Sequence, residues 1–201
     1  MGCLFKYRMS STNPLKGQLR QFYKQQRLAL GAELRHHLSR QICQNLRSSA
    51  IFAHSDRIFA YFAIQGEPDL TTLWQAFPHK VWVFPRCQGQ ELVWHPLTID
   101  RLAQDTYQGK YGLPMPRPQL PQVPLAEADL VLVPALALDK MGFRLGYGGG
   151  FYDRCLAKHP VPTIGITYSQ FVVDRLPRDG WDIPLGGICT DRGLDSFCPL
   201  P

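Results

Sequence analysis

The chain has 201 residues, 45% of them hydrophobic and 19% charged, and no apolar run nears the ~20 residues of a membrane span. That length suits one globular domain able to bury about 70% of its unfolded surface, and the composition is ordinary for a soluble globular protein. The net charge of +6 favours an anionic partner, either a nucleic acid or a small polyanion.

Residues 1–13 read as a loose tail before a single domain over 14–201. Their short apolar patch is broken by Lys6 and Arg8, too weak for a signal peptide, and Lys6 stands where myristoylation wants Ser or Thr. Asn13-Pro14 is a helix start, a capping side chain followed by proline at the first helical position. Leu15, Leu19, Phe22 and Tyr23 mark an apolar stripe on that helix. Lys16, Arg20, Lys24 and Arg27 fall within an arc of roughly 80° on another face. Such a face is either a solvated stripe or the seat of a polyanion that relieves the repulsion among its cations. Gly31 ends the helix, and a second follows with Leu34, Leu38, Ile42 and Leu46 as its buried edge.

The period then changes. Residues 57–64 form a continuous apolar run, the mark of a strand covered on both faces. A turn at Gln65–Asp69 leads to a short helix over 70–77. Val81–Pro85 is a second buried strand, and Leu92–His95 a third, antiparallel at an edge. The prolines between 104 and 128 predict an extended loop. Leu130–Pro134, Thr163–Thr167 and Ile188–Thr190 are further strands. Strands alternating with helices predict an α/β fold, an open and mostly parallel sheet with helices on both faces. Ligands of such sheets sit beyond the carboxyl ends of the strands, where Glu67, Arg86 and the loop from Asp139 to Gly150 follow predicted strands.

That loop carries the chemistry. In Phe143-Arg144-Leu145-Gly146-Tyr147-Gly148-Gly149-Gly150-Phe151-Tyr152-Asp153, four glycines occupy five positions just before a helix. Such backbone approaches a ligand closely, and its N–H groups at a helix start cradle phosphate. Arg144 adds a permanent cation and Asp153 a carboxylate able to hold Mg²⁺. The spacing is neither a P-loop nor a dinucleotide fingerprint. The plain alternative is a tight connection between two elements. The six cysteines are far apart, without Cys-x-x-Cys or zinc-ligand spacing, and read as free thiols of a reducing cytoplasm. Neither the cysteines nor the scattered histidines form a nucleophile–base set.

The segment from Phe143 to Asp153, with Pro134 and Asp139 before it, closely resembles the signature of the 5-formyltetrahydrofolate cyclo-ligase family. Lys16–Arg20, Gln65-Gly66-Glu67, Phe84-Pro85-Arg86, Tyr111–Pro114 and Trp181–Leu185 match further, from Lys16 to about Asp191. The resemblance implies a fold similar to ribose-5-phosphate isomerases and CoA transferases. It implies an ATP- and Mg²⁺-dependent, cytoplasmic enzyme that turns 5-formyltetrahydrofolate into 5,10-methenyltetrahydrofolate, releasing ADP and phosphate. Lys16, Arg20, Arg144, Leu145, Gly146, Tyr147, Gly148, Gly149, Gly150, Phe151 and Tyr152 are then expected at ATP. Phe62, Glu67, Tyr111 and the Tyr147–Phe151 stretch are expected at the folate, Asp153 and Asp182 at the metal, and Arg86 at phosphate or folate. Partners are expected to be small molecules, without nucleic acid, membrane or an obligate protein partner. The chain departs from the family pattern at Phe151, where many members have Tyr, and at Gly186, where an acid is common. A non-catalytic folate or nucleotide binder, and an RNA-associated protein using the basic helix face, stand as rival readings. Glu67 as a helix cap, Arg86 in a structural ion pair and Asp182 as a turn residue are the corresponding plain readings of single sites.

Overall fold

The computed structural model describes residues 14–109, 112 and 114–197. The expected tail, the Asn13 cap and Tyr111 lie outside the described residues. Two long helices come first, α1 (Pro14–Ala29) and α2 (Ala32–Arg47), separated at Gly31, whose φ of +60° suits glycine. A short α3 (Ala50–His54) leads into β1 (Arg57–Phe59), and α4 (Thr71–Ala76) returns the chain to β2 (Val81–Gln88) and β3 (Glu91–Leu97). A short α5 (Leu102–Asp105) precedes a two-stranded ribbon, β4 (Thr106–Gln108) with β5 (Pro114–Pro116). Then come β6 (Leu130–Pro134), β7 (Ala137–Asp139), β8 (Arg144–Leu145) and α6 (Phe151–Lys158). The chain continues through β9 (Thr163–Ile166), β10 (Val172–Val173), β11 (Gly187–Thr190) and β12 (Gly193–Ser196).

Seven strands form the main sheet in the order β12-β11-β9-β6-β1-β2-β3. The five inner strands are parallel, and β12 and β3 close the edges antiparallel. Period-two alternation divides the inner strands between two cores. Ile58, Trp82, Phe84, Leu130 and Leu132 pack with Ile42 and Leu46 of α2. Phe59, Val83, Val131 and Val133 pack with Leu156 of α6 and Trp94. Both faces are therefore apolar, which is why these segments read as unbroken hydrophobic runs. β10, β7 and β8 make a separate three-stranded sheet.

The structure departs from expectation in four places. The first strand ends at Phe59 rather than Ile64; one more bond, Ala60 N–H to Val83 O at 2.8 Å, follows before the chain leaves the sheet. It turns at Gln65 (φ +46°) and Gly66 (φ +78°), and the apolar residues 61–64 serve the core and a cleft instead of a ladder. The proline-rich stretch contains the β4–β5 ribbon and a short helix rather than loop alone. Leu34 is exposed, so the inward edge of α2 begins at Leu38. On α1, Leu15 and Phe22 face outward, while Lys16 and Arg27 are buried.

Candidate active site

The site begins with a buried carboxylate. Asp139, at the end of β7, is fully buried and accepts from Met141 N–H at 2.9 Å and Phe143 N–H at 3.1 Å through Oδ1. Its Oδ2 accepts from Leu176 N–H at 3.1 Å and the Arg178 guanidinium at 3.0 Å. Arg178 also lies over the Phe143 ring, 3.8 Å from its centroid. One side chain thus closes the turn between β7 and β8 and ties it to Leu176 and Arg178. Gly142 is required in that turn, since its φ is +82° and a Cβ would come 2.5 Å from Leu185 O.

Beyond β8 the chain enters the glycine loop. Gly148 has φ +98° and Gly150, the N-cap of α6, has φ +63°, conformations that an L side chain rarely adopts. Arg20 of α1 reaches across and donates from Nε to Gly146 O at 3.0 Å. A Cβ on Gly148 would lie 3.2 Å from Arg20 Cζ, so glycine is what lets helix and loop meet here. The α6 N-terminus has no side-chain cap bond, and its first turn carries Asp153.

The basic face of α1 points inward. Lys16 Nζ pairs with Asp179 Oδ2 at 2.8 Å and Asp182 Oδ2 at 2.5 Å, all largely buried. Arg144 pairs with Asp153 Oδ1 at 2.8 Å, and that oxygen also accepts from Ile183 N–H at 3.3 Å. Arg27 is wholly buried. It donates from Nε to Gln65 O at 3.1 Å, from one terminal nitrogen to Ala135 O at 3.3 Å, and from the other to the Tyr147 hydroxyl. Burial weakens the hold of Arg20 on its proton, against the pull of Asp179, Asp182 and Asp153. Cations and carboxylates are interleaved, which suits a ligand carrying both phosphates and a metal.

The opposite wall is apolar. Phe62 stacks on Phe84, with centroids 4.4 Å apart at 13°, and meets Trp74 edge-on. Beside it Glu67 is 5% exposed and accepts from Ile64 N–H at 3.0 Å. Burial lifts its carboxyl from 4.5 to about 7, opposed by Arg27, the Ile64 N–H and the Tyr147 hydroxyl. The cleft between these walls holds about 1220 Å³, its open mouth included.

This cleft brings together Lys16, Arg20, Phe62, Glu67, the whole Arg144–Asp153 stretch and Asp182. Arg86 is not among them. Its neighbours Pro85 and Cys87 line the cleft, so strand alternation sends Arg86 to the other face, where Nε donates to His95 Nε2 at 3.2 Å. The expectation of a phosphate or folate contact from Arg86 does not fit this placement. Neither does a structural ion pair, since its partners are His95 and Gln88.

Arg27, Asp179 and Trp181 join the site beyond the residues expected there. Arg27 was legible as the last member of the α1 basic face. Asp179 and Trp181 lie in an irregular segment with no period to mark them. For a metal, the described residues contain no ready cluster of three His, Cys, Asp or Glu side chains. Mg²⁺ needs less, commonly one or two carboxylates with water and phosphate oxygens. The contacts of Asp153 fall on Oδ1 and those of Asp182 on Oδ2, so each has a second oxygen to offer a hard cation.

The model of the 5-formyltetrahydrofolate cyclo-ligase family matches residues 12–191. The 5-formyltetrahydrofolate cyclo-ligase of Haemophilus influenzae is 31% identical over 183 residues, 84% of this chain and 93% of its own. That of Escherichia coli K12 is 29% identical over 182 residues, 83% and 95% of the two chains. Among solved structures, the 5,10-methenyltetrahydrofolate synthetase of Aquifex aeolicus aligns with a TM-score of 0.82 at 32% identity, covering 92% of this chain and 94% of that one. The corresponding protein of Mycoplasma pneumoniae, at 24% identity and a TM-score of 0.69, shares the fold.

Proposed function

Since the chain belongs to the 5-formyltetrahydrofolate cyclo-ligase family, we propose that it converts 5-formyltetrahydrofolate and ATP into 5,10-methenyltetrahydrofolate, ADP and phosphate. One observation carries the reading for this chain: the glycine loop, the inward basic face of α1 and an aromatic wall with a buried acid all line one cleft.

The reaction needs a poor nucleophile, the formamide oxygen, to meet the γ-phosphate in line. That oxygen attacks phosphorus and the bond to ADP breaks, leaving an iminium phosphate. N10 then attacks the activated carbon, phosphate departs with the former formyl oxygen, and the N10 proton is released as the ring closes. Negative charge gathers on the transferring group, so positioning and electrostatics do most of the work. Arg20, Arg144 and Lys16 are the cations for the phosphate chain, with the N–H groups of Gly148, Gly149 and Gly150 beside them. Phe62 offers a ring face to the reduced pterin, and Glu67 a polar contact within an otherwise apolar wall. Tyr147, held by Arg27, stands between the two halves. Asp153 and Asp182 would hold Mg²⁺, which neutralises charge on phosphoryl oxygens when bound.

The same reading takes the sheet as ribose-5-phosphate isomerase/CoA transferase-like, supported by its parallel strands and a cleft at their carboxyl edge. It also takes the setting as cytoplasmic, supported by unbridged Cys43, Cys87, Cys155 and Cys189. No helix among the described residues is long and apolar enough to cross a membrane. The RNA reading loses its support, because Lys16 and Arg27 of the basic face are buried and partnered. The direct test follows the near-ultraviolet absorbance of the methenyl product with and without ATP. ATP-dependent appearance of product is expected, and folate binding without ATP consumption would favour the non-catalytic binder instead.

A further inference from the structure

Ring closure makes N10 shed a proton inside the cleft, and a group there must take it. The carboxyl groups lining the cleft are Glu67, Asp153, Asp179 and Asp182. Asp153 is paired with Arg144, and both Asp179 and Asp182 with Lys16. A carboxylate held by a cation is a poor base, because its partner already stabilises the charge. Among the described residues no histidine lines the cleft, and burial pushes the Cys87 thiol in its wall up, so it stays protonated.

Glu67 differs from the other acids. Its hydrogen-bond partners are neutral donors, the Ile64 N–H at 3.0 Å and the Tyr147 hydroxyl. Arg27 donates to that hydroxyl in turn, with its guanidinium 5.6 Å from the Tyr147 ring centroid. The buried cation thus stands one side chain away, where it favours the carboxylate without pairing with it. Tyr147 lies between Gly146 and Gly148 of the glycine loop, and Glu67 lies beside the Phe62 wall. The carboxyl therefore sits at the border of the proposed phosphate and pterin halves, where N10 and the activated carbon have to meet. A carboxyl near 7 is about half ionised at neutral pH, which suits a general base. Burial pushes the Tyr61, Tyr147 and Tyr152 hydroxyls around it up, and Arg27 stays cationic, so none of these neighbours changes charge there.

We propose that Glu67 is the general base of ring closure, taking the N10 proton as N10 attacks the activated carbon. The inference rests on the cyclo-ligase reading of the cleft. The N10 lone pair forms the new bond to carbon, the N10–H electron pair stays on nitrogen, and the proton passes to a Glu67 oxygen. The carbon–oxygen electron pair leaves with phosphate, and the carboxylic acid returns its proton to water when product departs. Tyr147 and Arg27 are positioning residues for this step.

The test is a single turnover of the parent and of Glu67→Gln, with ADP measured by rapid quench and methenyl product by absorbance. Glutamine stays neutral and keeps an oxygen for the Ile64 N–H. In the variant, ADP should form at the parent's rate while the methenyl product lags by about 100-fold. Equal slowing of ADP and product, or a variant as fast as the parent, overturns the proposal. In the parent, ring closure should also slow as pH falls below about 7, since a protonated carboxyl accepts nothing. That limb should vanish in Glu67→Gln, and its persistence there overturns the assignment. A parent that makes no product with ATP refutes the cyclo-ligase reading itself, and the base with it. A parent that turns over, beside a variant slowed equally in both steps, refutes the base alone.

Discussion

Glu67 shows how much one buried carboxyl can carry. Burial raises it to about 7 from 4.5, so between those values the folded chain binds a proton that the unfolded chain has released. Its contribution to stability is therefore complete below pH 4.5 and is lost as pH rises through about 7. A shift of that size corresponds to about 3 kcal/mol. Glu67→Gln, which stays neutral, should flatten the fall in denaturant-derived stability over that window relative to the parent; parallel pH profiles would contradict the assignment. Arg144 and Asp153 act as a pair, with side chains only 5% and 15% exposed. Removing either leaves the other's charge uncompensated beside the proposed phosphates. Arg144→Ala and Asp153→Ala should each lose about 2–4 kcal/mol of transition-state stabilisation in kcat/KM. The double variant should lose less than the sum, because removing both partners leaves no uncompensated charge. Additive losses would show that the two act independently, and turnover like the parent's would place the chemistry elsewhere.

Among the elements, the meeting of α1 with the glycine loop decides whether a site exists. Gly148→Ala would force a Cβ to φ +98° and within 3.2 Å of the Arg20 guanidinium carbon. Strain of about 1–3 kcal/mol is expected there. The loop and Arg20 should part, raising the KM for ATP at least tenfold while the far-ultraviolet spectrum stays that of the parent. A KM unchanged from the parent would show that the loop tolerates the side chain. The glycine loop and α6 were legible in the sequence because glycine punctuation and a helical apolar spacing coincide at Gly150, which the structure makes the N-cap. The facing of α1 was not. Its apolar stripe of Leu15, Leu19, Phe22 and Tyr23 suggests one inward face, yet only Leu19 and Tyr23 pack on the core. Lys16 and Arg27 of the basic stripe are buried instead, and Lys16 is held by carboxylates more than 160 residues away in sequence, which no local period reveals.

At the scale of the whole molecule, a parallel sheet covered on both faces gathers the carboxyl ends of its strands at one edge. Segments far apart in sequence meet there. The inner strands were legible because double-sided burial demands continuous apolar runs, as in Leu130–Pro134. The small sheet of β7, β8 and β10 was not, since strands of two or three residues carry no pattern and exist through the Asp139 clamp. Arg86 illustrates the same limit, for the strand expected to end at Pro85 runs on to Gln88 and its alternation decides which face Arg86 takes. The assembled account claims that this edge holds a folate formyl oxygen against the terminal phosphoryl group of ATP. The most direct measurement supplies 5-formyltetrahydrofolate labelled with heavy oxygen in the formyl group and weighs the released phosphate by mass spectrometry. One heavy oxygen per phosphate is expected, formed only with ATP present; unlabelled phosphate accompanying product would contradict the account.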